Sequence, residues 1–199
     1  MSRQQRRITR NDLLPLPEYQ KARKERRAQI LQIKQHRRIE VGPYASFYFE
    51  NYDTMLQQVQ EMLYIEKGGD AQIEDELAAY NPLIPQGAEL VCTLLLEVED
   101  PSRRERILRT LSYIENHIFI QIGDARIPAI ALPGEERTRE DGKTSSVHFL
   151  RFPFTPSQIA AFKDPSQSVM LGVDHENYAH MAPLSQASRE ALAGDFAMA

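Results

Sequence analysis

Apolar positions change rhythm along the chain, and the changes mark the elements. From Glu18 to Arg38 nothing breaks a helix, and Tyr19, Ala22, Arg26, Ile30 and Ile33 recur at spacings of three and four, which predicts a helix with a narrow buried stripe. Pro15 and Pro17 keep the preceding segment extended, and Gly42-Pro43 closes the region. Tyr44 to Phe49 reads as an aromatic strand. Asn51 or Asp53 then caps a helix to about Glu66, with Met55, Leu56, Val59, Met62 and Leu63 on its apolar face. Gly68-Gly69 stops it, and a short acidic helix follows with Ile73, Leu77 and Tyr80 on one side.

Past residue 87 the period becomes two. Leu90, Cys92, Leu94, Leu96 and Val98 alternate with Glu89, Val91, Thr93, Leu95, Glu97 and Glu99, the clearest strand of the chain. Asp100-Pro101 opens a helix ending near Leu111. Ile118, Ile120 and Ile122 form a strand face, and Gly123-Asp124 is a two-residue hairpin turn returning through Arg126 to Leu132, with Pro128 marking an edge. Residues 133–144 read as a charged, mobile loop. Ser146, His148, Leu150, Phe152 and Phe154 make the next strand face, Thr155-Pro156 caps a helix to Lys163, Val169–Val173 is a last strand, and Ser185–Phe196 a last helix. The expectation is an α+β fold. A helical N-terminal region with one strand (1–86) packs on a mainly antiparallel sheet domain (87–199), helices on one face in a split βαβ-like order, with one continuous domain as the alternative.

Length and composition suit one sizeable domain or two small ones. At 199 residues a core can form, and no 18-residue apolar run is present to cross a membrane. MSRQQRRITR has charge but no apolar stretch, so no secretory signal is read. Cys92 is the single cysteine, which rules out an internal disulfide or a thiolate cluster built by this chain alone; a reducing cytoplasm is the expected compartment. It lies on an apolar strand face, so an inert core thiol is expected.

Charge changes the picture more. Through Ile39 there are 12 Lys/Arg against 3 Asp/Glu, a net of +9; the remainder has 12 against 25, a net of −13. The basic segment is expected to fold back on the acidic body of its own chain or of a second copy, or to meet an acidic partner. Nucleic-acid binding is a second alternative: only Tyr19 interrupts the cations as an aromatic, and no recognition signature accompanies them.

No segment carries a motif with a known mechanism: there is no Gly-rich phosphate loop, G-x-S-x-G or H-E-x-x-H. Two sets of residues invite chemistry. Glu50, Glu61 and Glu66, near Gln57, Gln58 and Gln60, are the candidates for acid/base work or a hard cation. Glu61 lies about 200° around its helix from Val59, off the apolar stripe, so solvation or pairing with Arg37, Arg38 and the basic helix is the plainer account. Glu50 follows Phe47-Tyr48-Phe49 and is expected to be partly buried. His148, Asp174 and His175, with Glu176, Tyr178 and His180, are weaker metal candidates, their plainer reading being surface residues after a strand end. No cofactor is evident, and the residues leave open whether the protein is an enzyme.

ITRNDLLPLPEY (8–19), HRRIEVGP (36–43), FENYDTMLQQVQEMLYIE (49–66) and AYNPLIP (79–85), with SSVHFLRFPF (145–154) and VDHENY (173–178), resemble the bacterial DUF3501 family over nearly the whole chain. The FEN…QEM…E pattern is the most specific part. The resemblance implies a genomic association with rubrerythrin-like proteins and iron–sulfur oxidoreductases, hence an accessory or interaction role beside a redox or peroxide-defence system. It also makes Glu50, Asn51, Gln60, Glu61, Glu66, Tyr80 and Asn81 the positions to inspect, with Arg37 and Arg38 as basic counterparts. Tyr52 stands where the pattern leads one to expect a basic residue. The alternative is a carboxylate-based metal-binding protein or enzyme using Glu50 and Glu61.

Overall fold

The structure, a computed structural model, describes residues 2–134 and 137–197. After an extended N-terminal arm come α1 (Leu16–Gln35), β1 (Arg38–Val41), β2 (Ala45–Phe49), α2 (Tyr52–Glu66), α3 (Gly69–Tyr80) and β3 (Glu89–Leu96). Then follow α4 (Pro101–Thr110), β4 (Ile118–Ile122), β5 (Ala125–Pro128), β6 (Ile130–Ala131), β7 (Val147–Pro153), α5 (Pro156–Lys163), β8 (Val169–His175), β9 (Tyr178–Pro183) and α6 (Gln186–Ala193). The class is α+β. The strands divide into two antiparallel sheets, ordered β1-β2-β3-β7-β6 and β5-β4-β8-β9.

One core lies between the sheets. Phe47, Leu90, Cys92, Leu94, Leu150 and Phe152 of the first meet Ile118, Ile120, Ile122, Leu171 and Val173 of the second. Every described strand pair is antiparallel, in line with the mainly antiparallel expectation, and the strands that flank α4 (β3 and β4) and α5 (β7 and β8) lie in different sheets. Alternation reports which side of a strand is apolar; it does not report which strand lies opposite. The expected boundary at residue 86 falls between β2 and β3, which are neighbours in one sheet with Phe47 opposite Leu94 and Phe49 opposite Cys92.

The outer face of the first sheet carries a second core. Val91 leaves β3 on that side and packs with Met55, Val59 and Leu63 of α2, Leu77 of α3, and Ile8 of the arm. Capping fixes where α2 starts: Asn51 Oδ1 accepts from the Thr54 N–H (2.9 Å), and Thr54 Oγ1 accepts from the Asn51 N–H (2.9 Å). α1 then lies along α2, burying only Tyr19 of its 20 residues.

Two strands depart from the expected pattern. The basic helix ends at Gln35, not Arg38, and residues 38–41 form β1 with Ile39 and Val41 inward. Gly42 turns the chain at φ +67°, and a Cβ there would sit 2.6 Å from the His180 ring. Tyr178 seals the turn: its hydroxyl donates to the Val41 carbonyl (2.6 Å) and accepts from the Tyr44 and Ala45 N–H groups (2.9 and 3.0 Å). Tyr178 belongs to β9, an edge strand with one buried residue and therefore no period-2 signal. The expected mobile loop 133–144 is in part a fastened hairpin. Thr138 bridges Thr144, and the Thr144 N–H donates to Leu108 of α4 (3.0 Å). Glu135 and Glu136 lie outside the described residues.

Candidate functional site

Glu50 is 6% exposed, as its aromatic neighbours imply. It sits where β2 hands over to α2. Its carboxylate accepts from Thr54 Oγ1 (2.7 Å) and, across the sheet, from Thr93 Oγ1 (2.9 Å). Both oxygens are thus committed to hydroxyls of its own chain. Neighbouring Cys92 is fully buried; burial, then the Glu50 charge, push its thiol well above the ordinary range, so it stays protonated and inert.

Glu61 is the centre of a different constellation. It accepts from Arg23 Nη2 (2.8 Å) and Nε (2.9 Å), from Gln57 Nε2 (3.2 Å) and from the Tyr19 hydroxyl. The Arg23 guanidinium, more than burial, sets the balance and holds the Glu61 carboxyl below its usual range. Burial and the Glu61 carboxylate push the Tyr19 phenol up, so it remains a donor. Arg23 also covers the Tyr64 ring at 4.7 Å. Glu50 precedes α2, whose rise over the nine residues from Tyr52 to Glu61 is alone roughly 14 Å, and the two carboxylates share no hydrogen-bond partner. They do not share a site. Glu61 pairs with the basic helix as the plainer account expected, but through Arg23 rather than Arg37 or Arg38; periodicity does not name Arg23 because α1 touches α2 through polar groups beside the apolar stripe. Tyr19 and Arg23, one turn apart on α1, are the residues sequence reasoning overlooked.

The remaining positions also serve the fold. Glu66 accepts from Gln72 Nε2 (2.8 Å). Gln60 grips Leu14, accepting its N–H (2.9 Å) and donating to its carbonyl (3.1 Å). Asn81 grips Ile8 the same way (2.7 and 3.0 Å). These two amides act as short strand partners that lay the arm over the second core. Tyr80 packs against that core. Tyr52 lies under Arg3, whose guanidinium is 4.9 Å from the ring centroid and forks onto Asp53.

Arg37 is buried rather than ligand-facing. It donates to the carbonyls of Phe49 (2.9 Å), Glu50 (3.0 Å) and Ala191 (2.9 Å) and to the Asp195 carboxylate, tying β2 to α6 and the chain beyond it. Burial pushes the Asp195 carboxyl up, and Arg37 pulls it back. Arg38 is half-exposed and pairs with Glu40 (2.8 Å) and Glu97 (3.3 Å).

The weaker metal candidates are dispersed. His148 on β7 lies in the first sheet, its Nε2 donating to the Ser145 carbonyl (2.9 Å) and its Nδ1 3.8 Å from Glu115. His175 and Asp174 lie on β8. His175 Nε2 donates to the Ser112 carbonyl (3.1 Å), while Nδ1 accepts from the Asn177 N–H (3.2 Å). Asp174 meets Arg126 (2.9 Å) and His117 (3.3 Å). Among the described residues no three His, Cys, Asp or Glu side chains gather as a cation site, and no helix is long and apolar enough to cross a membrane.

Comparison with known proteins agrees on the family. The family described as "Protein of unknown function (DUF3501)" matches residues 7–196. The chain is similar to a novel protein of unknown function from Burkholderia pseudomallei K96243, whose crystal structure at 1.90 Å is matched with a TM-score of 0.86 and 35% identity over 96% of this chain and 99% of that one. No curated protein matches the chain. The arm from Arg7 onward, both sheets and α1 to α6 fall inside the matched span, and the chain belongs to the DUF3501 family.

Proposed function

We propose that the protein is an accessory or interaction protein that docks an acidic partner protein on the outer face of α1. One observation carries the reading: α1 is held to the body through Tyr19 and Arg23, while most of its charge is left unspent. Among the described residues, Lys21, Lys24, Arg26, Arg27 and Lys34 have no carboxylate within 4.0 Å, and Leu31 among them is 71% exposed. The N-terminal arm behaves differently and folds back, Arg3 onto Asp53 and Arg10 onto Glu74 and Asp70. The body's acids therefore pair Arg3 and Arg10 of the arm and Arg23 of the helix, and leave five cations of α1 without a carboxylate within 4.0 Å.

A rigid cationic rod with an exposed leucine suits a complementary acidic surface, where charge speeds encounter and fixes register. The family resemblance names the partner class proposed here, an iron–sulfur oxidoreductase or a rubrerythrin-like protein, which would place the chain beside redox or peroxide chemistry in the cytoplasm. The carboxylate reading is less well supported, because Glu50 and Glu61 are far apart and each is consumed by its own chain.

Affinity capture from the native host at near-native expression tests this. Recovery of an acidic redox protein is the expected result. An acidic protein of another kind would keep the docking and remove the redox role. Recovery of nucleic acid, or of nothing, would remove both.

A further inference from the structure

On the other side of the molecule, a cavity of ≈350 Å³ opens between α4 and the hairpin 137–146. It is lined by Arg104 and Leu108 of α4 and by Arg137, Arg139, Lys143, Thr144, Ser145 and Ser146. Among the described residues, four cations and three hydroxyls line it and no carboxylate does. We infer that this cavity is a binding site for a small phosphate-bearing molecule, held by Arg104, Arg137, Arg139 and Lys143.

The walls are built rather than adventitious. The Ser145 N–H donates to the Arg137 carbonyl (2.6 Å), and the Arg139 N–H to that of Lys143 (3.0 Å). The Thr144 N–H donates to Leu108 (3.0 Å), and Leu96 of β3 donates to Ser146 (2.8 Å). Backbone bonds thus hold like charges together.

Counter-charge is present nearby but spent elsewhere. Asp141 pairs with Arg109 (3.0 Å) and accepts from the Lys143 N–H (3.2 Å), and Glu105 also pairs with Arg109 (3.2 Å). Among the described residues none of the four lining cations has a carboxylate within 4.0 Å. Arg104 Nε is a buried donor with no acceptor, a state costing about 1–3 kcal/mol. An oxyanion in the cavity would give the lining cations a counter-charge and the orphan donor an acceptor. Arginine forks and hydroxyls are the groups that match phosphoryl oxygens. The volume is near the lower limit of roughly 300 Å³ for ligand pockets, which favours a small molecule over a polymer.

Calorimetric titration of the full chain at an ionic strength of about 0.15 M tests the site. The probes are pyrophosphate, ribose 5-phosphate and citrate. Saturable one-to-one binding of either phosphate compound, weakened about tenfold or more in Arg104→Gln/Arg137→Gln, is expected. Pyrophosphate binding alone identifies an inorganic ligand, and tighter ribose 5-phosphate a phosphorylated metabolite. If that variant does not fold, Arg139→Gln/Lys143→Gln, on the exposed rim, carries the same expectation. Lys24→Gln on α1 should bind as the parent does. Absent saturable binding, preference for citrate, or equal affinity in the cavity variants would overturn the assignment.

Discussion

Arg23 of α1 forks onto Glu61 of α2, with Nη2–Oε2 at 2.8 Å and Nε–Oε1 at 2.9 Å. The pair is mostly buried and also gathers Tyr19 and Gln57, so it works as the latch that sets α1 on the body. Glu61→Gln should cost about 1–3 kcal/mol in denaturant unfolding, because the charge-assisted bonds from Arg23 become neutral ones and the amide nitrogen that replaces one oxygen cannot accept from the guanidinium. The sign with pH follows from the lowered carboxyl. The latch contributes fully above the ordinary value of 4.5, and its contribution is lost as pH falls through the lower folded-state value. The variant should lack that share of the acid sensitivity; identical acid unfolding of variant and parent would show that the latch is idle.

Arg37 should be the most costly of the named side chains to remove. Arg37→Met leaves Asp195 buried without its cation and breaks four hydrogen bonds, a loss of about 3–5 kcal/mol. Adding Asp195→Leu should recover part of it. Strict additivity of the two substitutions in unfolding experiments would mean that the residues do not act as a pair.

Glu50→Gln should be mild. An amide can still face Thr54 and Thr93, one through its oxygen and one through its nitrogen, and the expected cost is about 1 kcal/mol. Capture of the partner should be unchanged. A well-folded Glu50→Gln protein that loses its biological effect would restore the carboxylate to a chemical role.

His148 should make the fold sensitive to mild acid. Burial, opposed by Glu115 and aided by Arg137, lowers its affinity for a proton below the ordinary value of 6.5. The unfolded chain then takes up a proton that the folded chain refuses. Stability is full above about pH 6.5 and declines below it, by at most about 1.4 kcal/mol per pH unit, until the folded-state value is reached. His148→Gln should flatten that slope between pH 6.5 and 5 in thermal melts.

Much of the N-terminal half was legible. α2 spans the expected residues with Asn51 as its cap, because a capping residue and a 3.6-residue stripe both act locally. β1 was hidden because Arg38–Val41 is four residues long and continues a run compatible with a helix; only its pairing with β2 makes it a strand. The division of strands between two sheets was not legible either, since Ile120 and Leu94 alternate alike yet face each other across the core. At the candidate site, the burial of Glu50 was foreseen from its neighbours. Pairing of Glu61 with the basic helix was expected, but its partner Arg23 was not legible, because the contact joins residues 38 apart through side chains that no periodicity reports.

The central claim is that the unspent cations of α1 dock an acidic partner. Its most direct test is capture from the native host with Lys21→Glu/Lys24→Glu/Lys34→Glu beside the parent protein, after circular dichroism shows the same fold. These side chains make no ion pair in the body, so stability should change little while the partner is lost, and raising salt should weaken the parent's capture in the same direction. Undiminished capture by the triple variant would contradict the account.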